Sequence, residues 1–378
     1  MARRDIGTDD PRVRVRPGRG SRPRTKQRPS HADAALGMVT RIDRGHYRIR
    51  LDDPRLTEDS SGDITAMKAR ELGRGKVVVG DRVAVVGDTS GRKGTLARMV
   101  RIEERTTLLR RSAEDGDGAG TERAIVANAD KLVIVTAVAD PEPRPRMIDR
   151  YLVAAYDAGM EPLIVLTKTD LADAAPLTGL YGPLGVRCLS TRLHPHTSEN
   201  KADPTETSGP QEQAADDDGV EAVRRMLSGT VSVLVGHSGV GKSTLINAIV
   251  PGADRATGHV NEVTGRGRHT STSLQALALP GGGWVIDTPG VRSFGVSHVG
   301  SADVLRGFPD LDSVAEDCPR GCTHEDGVVD CALDEWASAA DGPDTPTSLT
   351  TPEERRARVE SFRRLLAPSL EAEDPTRP

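Results

Sequence analysis

VSVLVGHSGVGKSTLINAI, residues Val231 to Ile249, joins a short apolar strand to a helix through a glycine-rich turn. Within it Gly236 to Ser243 matches GxxxxGKS, and both contextual conditions are met: an apolar strand before, a helical run after. Glycines let the backbone curl so that successive N–H groups from about Ser238 to Lys242 point inward at phosphate oxygens beside the positive end of a helix. The reading assigns Gly236, His237, Ser238, Gly239, Val240, Gly241 and Thr244 to a nucleotide-phosphate site. Lys242 is expected to reach the β- and γ-phosphates and Ser243 to hold magnesium.

Two further strand ends complete that site. Trp284-Val-Ile-Asp287-Thr-Pro-Gly290 places a carboxylate where the magnesium shell would sit, and the Gly290 N–H where a γ-phosphate would approach. Pro162-Leu-Ile-Val-Leu-Thr167-Lys168-Thr-Asp170 ends in TKxD, similar to the guanine-reading NKxD of GTPases. Asp170 can accept two hydrogen bonds from guanine N1 and N2, donors that adenine lacks, while the Lys168 stem covers the base. An ATPase or kinase is disfavoured by this pair. Thr167 stands where asparagine is usual, so the tether between base loop and phosphate loop is expected to be altered. Ser190 and Thr191, after a strand at Val186 to Leu189, are expected to close over the base.

These strands alternate with helical segments, the pattern of a parallel sheet covered by helices. Candidate strands are 131–138, 162–167, 186–189, 231–236, 274–279 and 284–287. With 378 residues, 36% apolar and 28% charged, two or three domains are expected. Three Phe, four Tyr and two Trp leave the cores to Val, Leu, Ile and Ala. No apolar stretch approaches the roughly 20 residues that span a bilayer. The basic amino terminus has no apolar block behind it, so a cytoplasmic protein without membrane association is expected.

The net charge of −5 conceals a polarity: residues 1–111 carry 27 basic and 15 acidic side chains, the rest 24 and 41. A polyanion partner at the amino-terminal part fits this, as does a solvated tail. Residues 1–34 read as a disordered basic arm. Residues 35–111 show short alternating runs, including 37–42, 46–51, 76–79 and 81–86. These suggest an all-β barrel of OB-fold size that binds RNA, with an SH3-like barrel as the alternative. Residues 112–299 form the α/β domain, interrupted at 193–218 by an acidic insertion expected to be disordered. Residues 300–367 form a mostly helical, zinc-binding unit with a helix from Pro352 to about Leu366, and 368–378 a disordered tail.

Cys318, Cys322, His324 and Cys331 supply three thiols and one imidazole within 14 residues, a complete tetrahedral zinc set. A disulfide would use only two of the three thiols and conflicts with a cytoplasmic chain. So little apolar sequence surrounds the cluster that it is expected to fold only with metal bound. Cys188 reads as a packing residue.

In ordinary GTPases the phosphate loop precedes the base loop; here 167–170 precedes 236–243, so the domain is circularly permuted. Together with Arg105-Thr-Thr-Leu-Leu-Arg-Arg111, Gly265-Arg-Gly-Arg-His269-Thr270-Ser-Thr272 and Asp287 to Gly295, the chain resembles the ribosome-small-subunit-dependent GTPase A (RsgA) family over residues 35–367. The resemblance implies an OB-fold, a permuted P-loop GTPase domain and a carboxyl-terminal zinc domain. It also implies a monomer that acts late in small-subunit assembly on ribosomal RNA, with GTP hydrolysis stimulated by the subunit. By the same resemblance Thr270 closes on magnesium and the γ-phosphate, and His269 positions the attacking water. Val291 occupies the place where many GTPases keep a water-orienting glutamine, so slow intrinsic turnover is expected. That leaves open an RNA-binding scaffold that keeps its nucleotide for structure. The family spacing between the first two cysteines is four residues, here three, which bears on Cys318.

Overall fold

The computed structural model describes residues 31–59, 61–72, 77–112, 122–192, 210–253, 274–288, 299–339 and 351–373. Five strands make the amino-terminal barrel: β1 (Ala35–Asp43), β2 (His46–Leu51), β3 (Asp63–Lys68), β4 (Arg82–Gly87) and β5 (Ala97–Ile102). They run in the order β1-β2-β3-β5-β4, and β4 pairs back onto β1 to close the barrel. Only β3 and β5 pair in parallel. Alternation along each strand sends Val39, Ile49, Ile64, Ala66, Val83 and Met99 inward, all buried. Among the described residues of the run expected as a strand at 76–79, one bridge forms, Val79 to Val126; Val77 instead joins the barrel core and Val78 is buried.

The boundary expected at residue 111 falls inside a separate hairpin of β6 (Leu108–Ser112) and β7 (Glu122–Ala127). Leu109, Ile125 and Val126 from this hairpin are buried in the core of the α/β domain. The connection to the barrel is tied by Asp81, fully buried, which accepts the Val78 N–H (2.8 Å) and both arms of Arg105 (2.7 and 2.9 Å). A buried carboxylate is tolerated when charge-assisted bonds of this kind saturate it.

The second sheet contains β8 (Lys131–Ala137), β9 (Glu161–Thr167), β10 (Arg187–Ser190), β11 (Val231–Val235), β12 (Gln275–Ala278) and β13 (Trp284–Asp287). Its order is β10-β9-β8-β11-β13-β12, parallel except for β12, which runs antiparallel to β13. Alternation alone did not reveal that reversal. β12 also meets β1 at Gln275 and Arg41, so barrel and α/β sheet are hydrogen-bonded edge to edge. Chain direction diverges between β8 and β11, and a crevice outside the carboxyl ends of strands at such a switch point is where α/β sheets bind ligands.

Helices cover both faces. On one lie α1 (Pro145–Asp157) and α2 (Ala175–Tyr181); on the other, α3 (Pro210–Leu227) and α4 (Lys242–Ile249). The acidic insertion therefore does not extend to residue 218. Helix α3 begins at Pro210, with proline at a favourable first position and acids in the amino-terminal half, where the helix dipole welcomes them. Val220, Val223 and Leu227 anchor its other end. Residues 193–209 lie outside the described residues, as does most of the expected basic arm.

The carboxyl-terminal region holds α5 (Ser301–Leu305), α6 (Pro309–Ala315), α7 (Ala332–Ser338) and α8 (Pro352–Glu373). Helix α8 continues past Pro368, overturning the expected tail at 368–373; a proline removes one hydrogen bond and need not end a helix. Val359, Phe362, Leu365 and Leu366 of α8 share one core with α1 of the GTPase-like domain. Phe308 stacks between Tyr156 (4.7 Å) and Phe362 (5.5 Å). This apolar support is larger than the sequence suggested, and the region packs against the α/β domain.

Candidate functional site

The phosphate loop follows β11. At Gly236 an added Cβ would meet the Val135 carbonyl at 2.4 Å, and Gly241, with φ of 88°, enters α4 in the left-handed region, so both positions require glycine. Lys242, Ser243 and Thr244 open α4, while Ser238 and Gly239 are exposed at the loop tip and Val240 is buried beneath it. The His237 ring sits on the Ser238 carbonyl at 2.8 Å. Asp287, at the end of β13 and 5% exposed, receives Lys242 Nζ at 2.8 Å; the same nitrogen donates to the Thr288 carbonyl at 3.2 Å. Parallel pairing of β11 with β13 sets Asp287 level with Leu234, and the Thr288 hydroxyl donates to the Leu234 carbonyl at 2.7 Å. One amine and one carboxylate thus converge at the mouth of the loop.

The base-loop candidates fold beside this loop although they precede it by some 70 residues. Thr167 is buried, and its hydroxyl donates to the Val240 carbonyl at 2.5 Å. The tether expected to be altered is therefore present, made by a threonine. Lys168 adopts φ of 58° and its amine donates to the Asp140 carbonyl, a residue of the loop after β8. Asp170 is exposed at the rim. Thr191 is buried beneath it: its N–H donates to Leu166 (2.7 Å) and its carbonyl accepts the Thr169 N–H (3.4 Å) and hydroxyl (3.2 Å). Ser190, exposed, ends β10 alongside. The Asp140 contact was not read from the sequence; only its place just after an apolar strand, before Pro141, signals it. The candidates His269, Thr270 and Gly290, and Val291, lie outside the described residues.

A second constellation sits between α6 and α7. Cys318, Cys322, His324 and Cys331 bring their ligand atoms within 4.8 Å of one another, a group able to hold a metal ion. His324 Nδ1 is 3.6 Å from the Cys318 sulfur, 3.5 Å from that of Cys322 and 3.9 Å from that of Cys331. The short spacing does not exclude Cys318, which sits as close as the others. Cys188 lies apart in β10, half-buried, where desolvation pushes its thiol up to about 11.

Residues 102–297 match the family model described as RsgA GTPase. A small ribosomal subunit biogenesis GTPase RsgA of Pseudomonas fluorescens (strain SBW25) is 35% identical over 295 residues, covering 76% of this chain and 77% of that protein. A relative of the same description from Pseudomonas syringae pv. tomato is 38% identical over 264 residues, covering 68% of each. Among solved structures, YjeQ from Thermotoga maritima superposes with a TM-score of 0.58 at 23% identity over 88% of this chain and 99% of that one. YloQ, described as a circularly permuted GTPase, gives 0.56 at 19% over 90% and 97%. With the base loop placed ahead of the phosphate loop and folded against it, the chain belongs to the RsgA GTPase family.

Proposed function

We propose that this protein hydrolyses GTP to GDP and phosphate and acts in maturation of the small ribosomal subunit, as its relatives' names describe. The observation that carries the reading is the bond from Thr167 to Val240, which holds a TKxD loop beside a GxxxxGKS loop, the arrangement that one guanine nucleotide requires. In this reading Lys168 and Asp170 recognise guanine, and Ser190 and Thr191 close its edge. The backbone from Gly236 to Thr244 cradles the phosphates. Lys242 exchanges its contact with Asp287 for the β- and γ-phosphates. Ser243 and Thr270, with Asp287 near them, would hold magnesium, which would supply charge neutralisation for phosphoryl transfer. The Gly290 N–H meets the γ-phosphate, and His269 orients the attacking water.

Zinc is the metal the cysteine and histidine set fits. Zn–S distances near 2.3 Å and Zn–N near 2.0 Å at tetrahedral angles require sulfur-to-nitrogen edges of about 3.6 Å. The spread from 3.5 to 3.9 Å supports this reading. The barrel is read as an OB-fold that binds ribosomal RNA, in keeping with the basic excess of residues 1–111. A cytoplasmic monomer follows from the same reading, and no helix among the described residues is long and apolar enough to cross a membrane.

The deciding experiment is steady-state GTP hydrolysis by the full chain, alone and with small subunits, large subunits or free RNA. Acceleration by small subunits only, abolished by Lys242→Ala, is the expected result. Turnover indifferent to small subunits would overturn the assignment.

A further inference from the structure

Helix α8 reaches the cysteine and histidine group through one side chain. Arg363 Nε donates to the His324 carbonyl at 2.9 Å, and its Nη2 lies 3.8 Å from the Cys331 sulfur. Its two terminal nitrogens fork onto Asp334, both at 2.8 Å. The Arg363 side chain is 13% exposed, whereas its Asp334 partner, at 47%, stays open to water. Asp334 lies in the first turn of α7, which Cys331 caps, and His324 holds a left-handed φ of 58° that its carbonyl bond to Arg363 braces. One guanidinium thus touches two of the four donor residues and the helix that follows them.

Charge gives this contact a purpose. Three thiolates and a neutral imidazole around a divalent cation leave one net negative charge, and the Arg363 guanidinium, shared with Asp334, sets a positively charged N–H group beside the Cys331 sulfur. Partners that orient metal ligands in this way usually account for about 10- to 100-fold in metal affinity.

We propose that Arg363 is a positioning residue for the metal group: it offsets the thiolate charge at Cys331 and fixes the His324 turn, so that metal retention and seating of α8 depend on each other. The proposal rests on the zinc reading above. Coupling between two equilibria is reciprocal, so metal should protect α8 as much as α8 protects metal.

The test uses the full chain and compares wild type with Arg363→Met, Arg363→Lys and Asp334→Asn; Arg356→Met, an exposed position on the same helix, serves as control. Zn²⁺ affinity is measured by chelator competition, and Co²⁺ substitution reports thiolate-to-metal charge-transfer bands. Limited proteolysis of α8 is followed with and without metal. Arg363→Met should weaken affinity by about 10- to 100-fold, shift the bands and remove the metal-dependent protection of α8. Lys, which retains charge without the fork, should fall between. Should Arg363→Met fail to fold, Arg363→Lys must show weaker affinity than wild type; Asp334→Asn, which frees the guanidinium charge but loosens its fork, then separates the two effects, tighter binding marking the charge and weaker binding the positioning, and unchanged affinity in both variants would overturn the proposal. Wild-type affinity and bands in a folded Arg363→Met would overturn the proposal, even with a lower melting temperature, because that pattern marks packing alone. A wild-type chain that takes up neither Zn²⁺ nor Co²⁺ would overturn the metal reading itself and this proposal with it.

Discussion

Thr167 and Val240, separated by 73 residues, are joined by a 2.5 Å hydrogen bond from the threonine hydroxyl to the valine carbonyl. The bond closes the permuted domain across the glycine-rich loop and sets the distance between the 167–170 and 236–243 segments. A hydroxyl carries a single proton, so it cannot also satisfy the Thr136 carbonyl 3.3 Å away.

Replacing Thr167 by valine keeps the shape and removes the donor. Leaving a buried acceptor unpaired costs about 1–2 kcal/mol, so GDP affinity should fall about tenfold. Thr167→Asn should bind within about threefold of wild type, since the amide also donates. Titration calorimetry with GDP measures both, and an unchanged Kd for the valine variant would remove Thr167 from the site.

Asp170→Asn should exchange nucleotide preference. Loss of a charged acceptor for two guanine donors amounts to roughly 3 kcal/mol, on the order of a 100-fold loss for GTP. Xanthosine triphosphate, with an oxygen at position 2, should recover part of it. Competition between the two nucleotides is the measurement; undiminished GTP preference would detach Asp170 from the base.

Asp149 on α1 is buried, and desolvation pushes its carboxyl up to about 6 despite the neighbouring Arg364 guanidinium 3.5 Å away. With the folded value above the unfolded one, the native state holds a proton that the unfolded chain releases. Stability from this group is therefore greatest at low pH and declines as pH rises from about 4 through about 6. Asp149→Asn should flatten that slope. Denaturant titrations at pH 4 and pH 7 provide the check: a difference between variant and wild type that is equal at both would contradict it.

The chain from Asp287 reaches α5, the first helix of the carboxyl-terminal region, at Ser301, so contacts that order one can bias the other. Small-subunit affinity should be several-fold higher with a non-hydrolysable GTP analogue than with GDP. Sedimentation with purified subunits tests this, and equal affinity in both states would exclude a nucleotide-controlled docking step.

Sequence legibility followed the strength of local signals. The strands of the α/β sheet were readable because β8, β9 and β11 are runs of Val, Leu and Ile, and the shorter β10, β12 and β13 sit in apolar stretches bounded by turn residues. Strands β3 (DITAMK) and β5 (ARMVRI) did not stand out, since small or charged residues interrupt the alternation and partners across the barrel supply the missing burial. The direction of β12 depends on β13 and β1, so nothing within its four residues could show it. The acids before Val220 looked like solvated coil because composition does not register their place at a helix amino terminus. Convergence of Cys318, Cys322, His324 and Cys331 was legible from spacing, whereas Arg363 lies 32 residues past Cys331 and joins them only through the docking of α8.

The single meeting of β1 with β12 also governs how the molecule behaves among its own copies. The barrel closes on itself, β1 lies against the outer side of β12, and among the described residues the remaining border of the α/β sheet is β10, four residues long. Unpaired backbone borders are templates on which foreign strands add. Removing the barrel would bare β12 and give an apolar sheet a second adhesive margin.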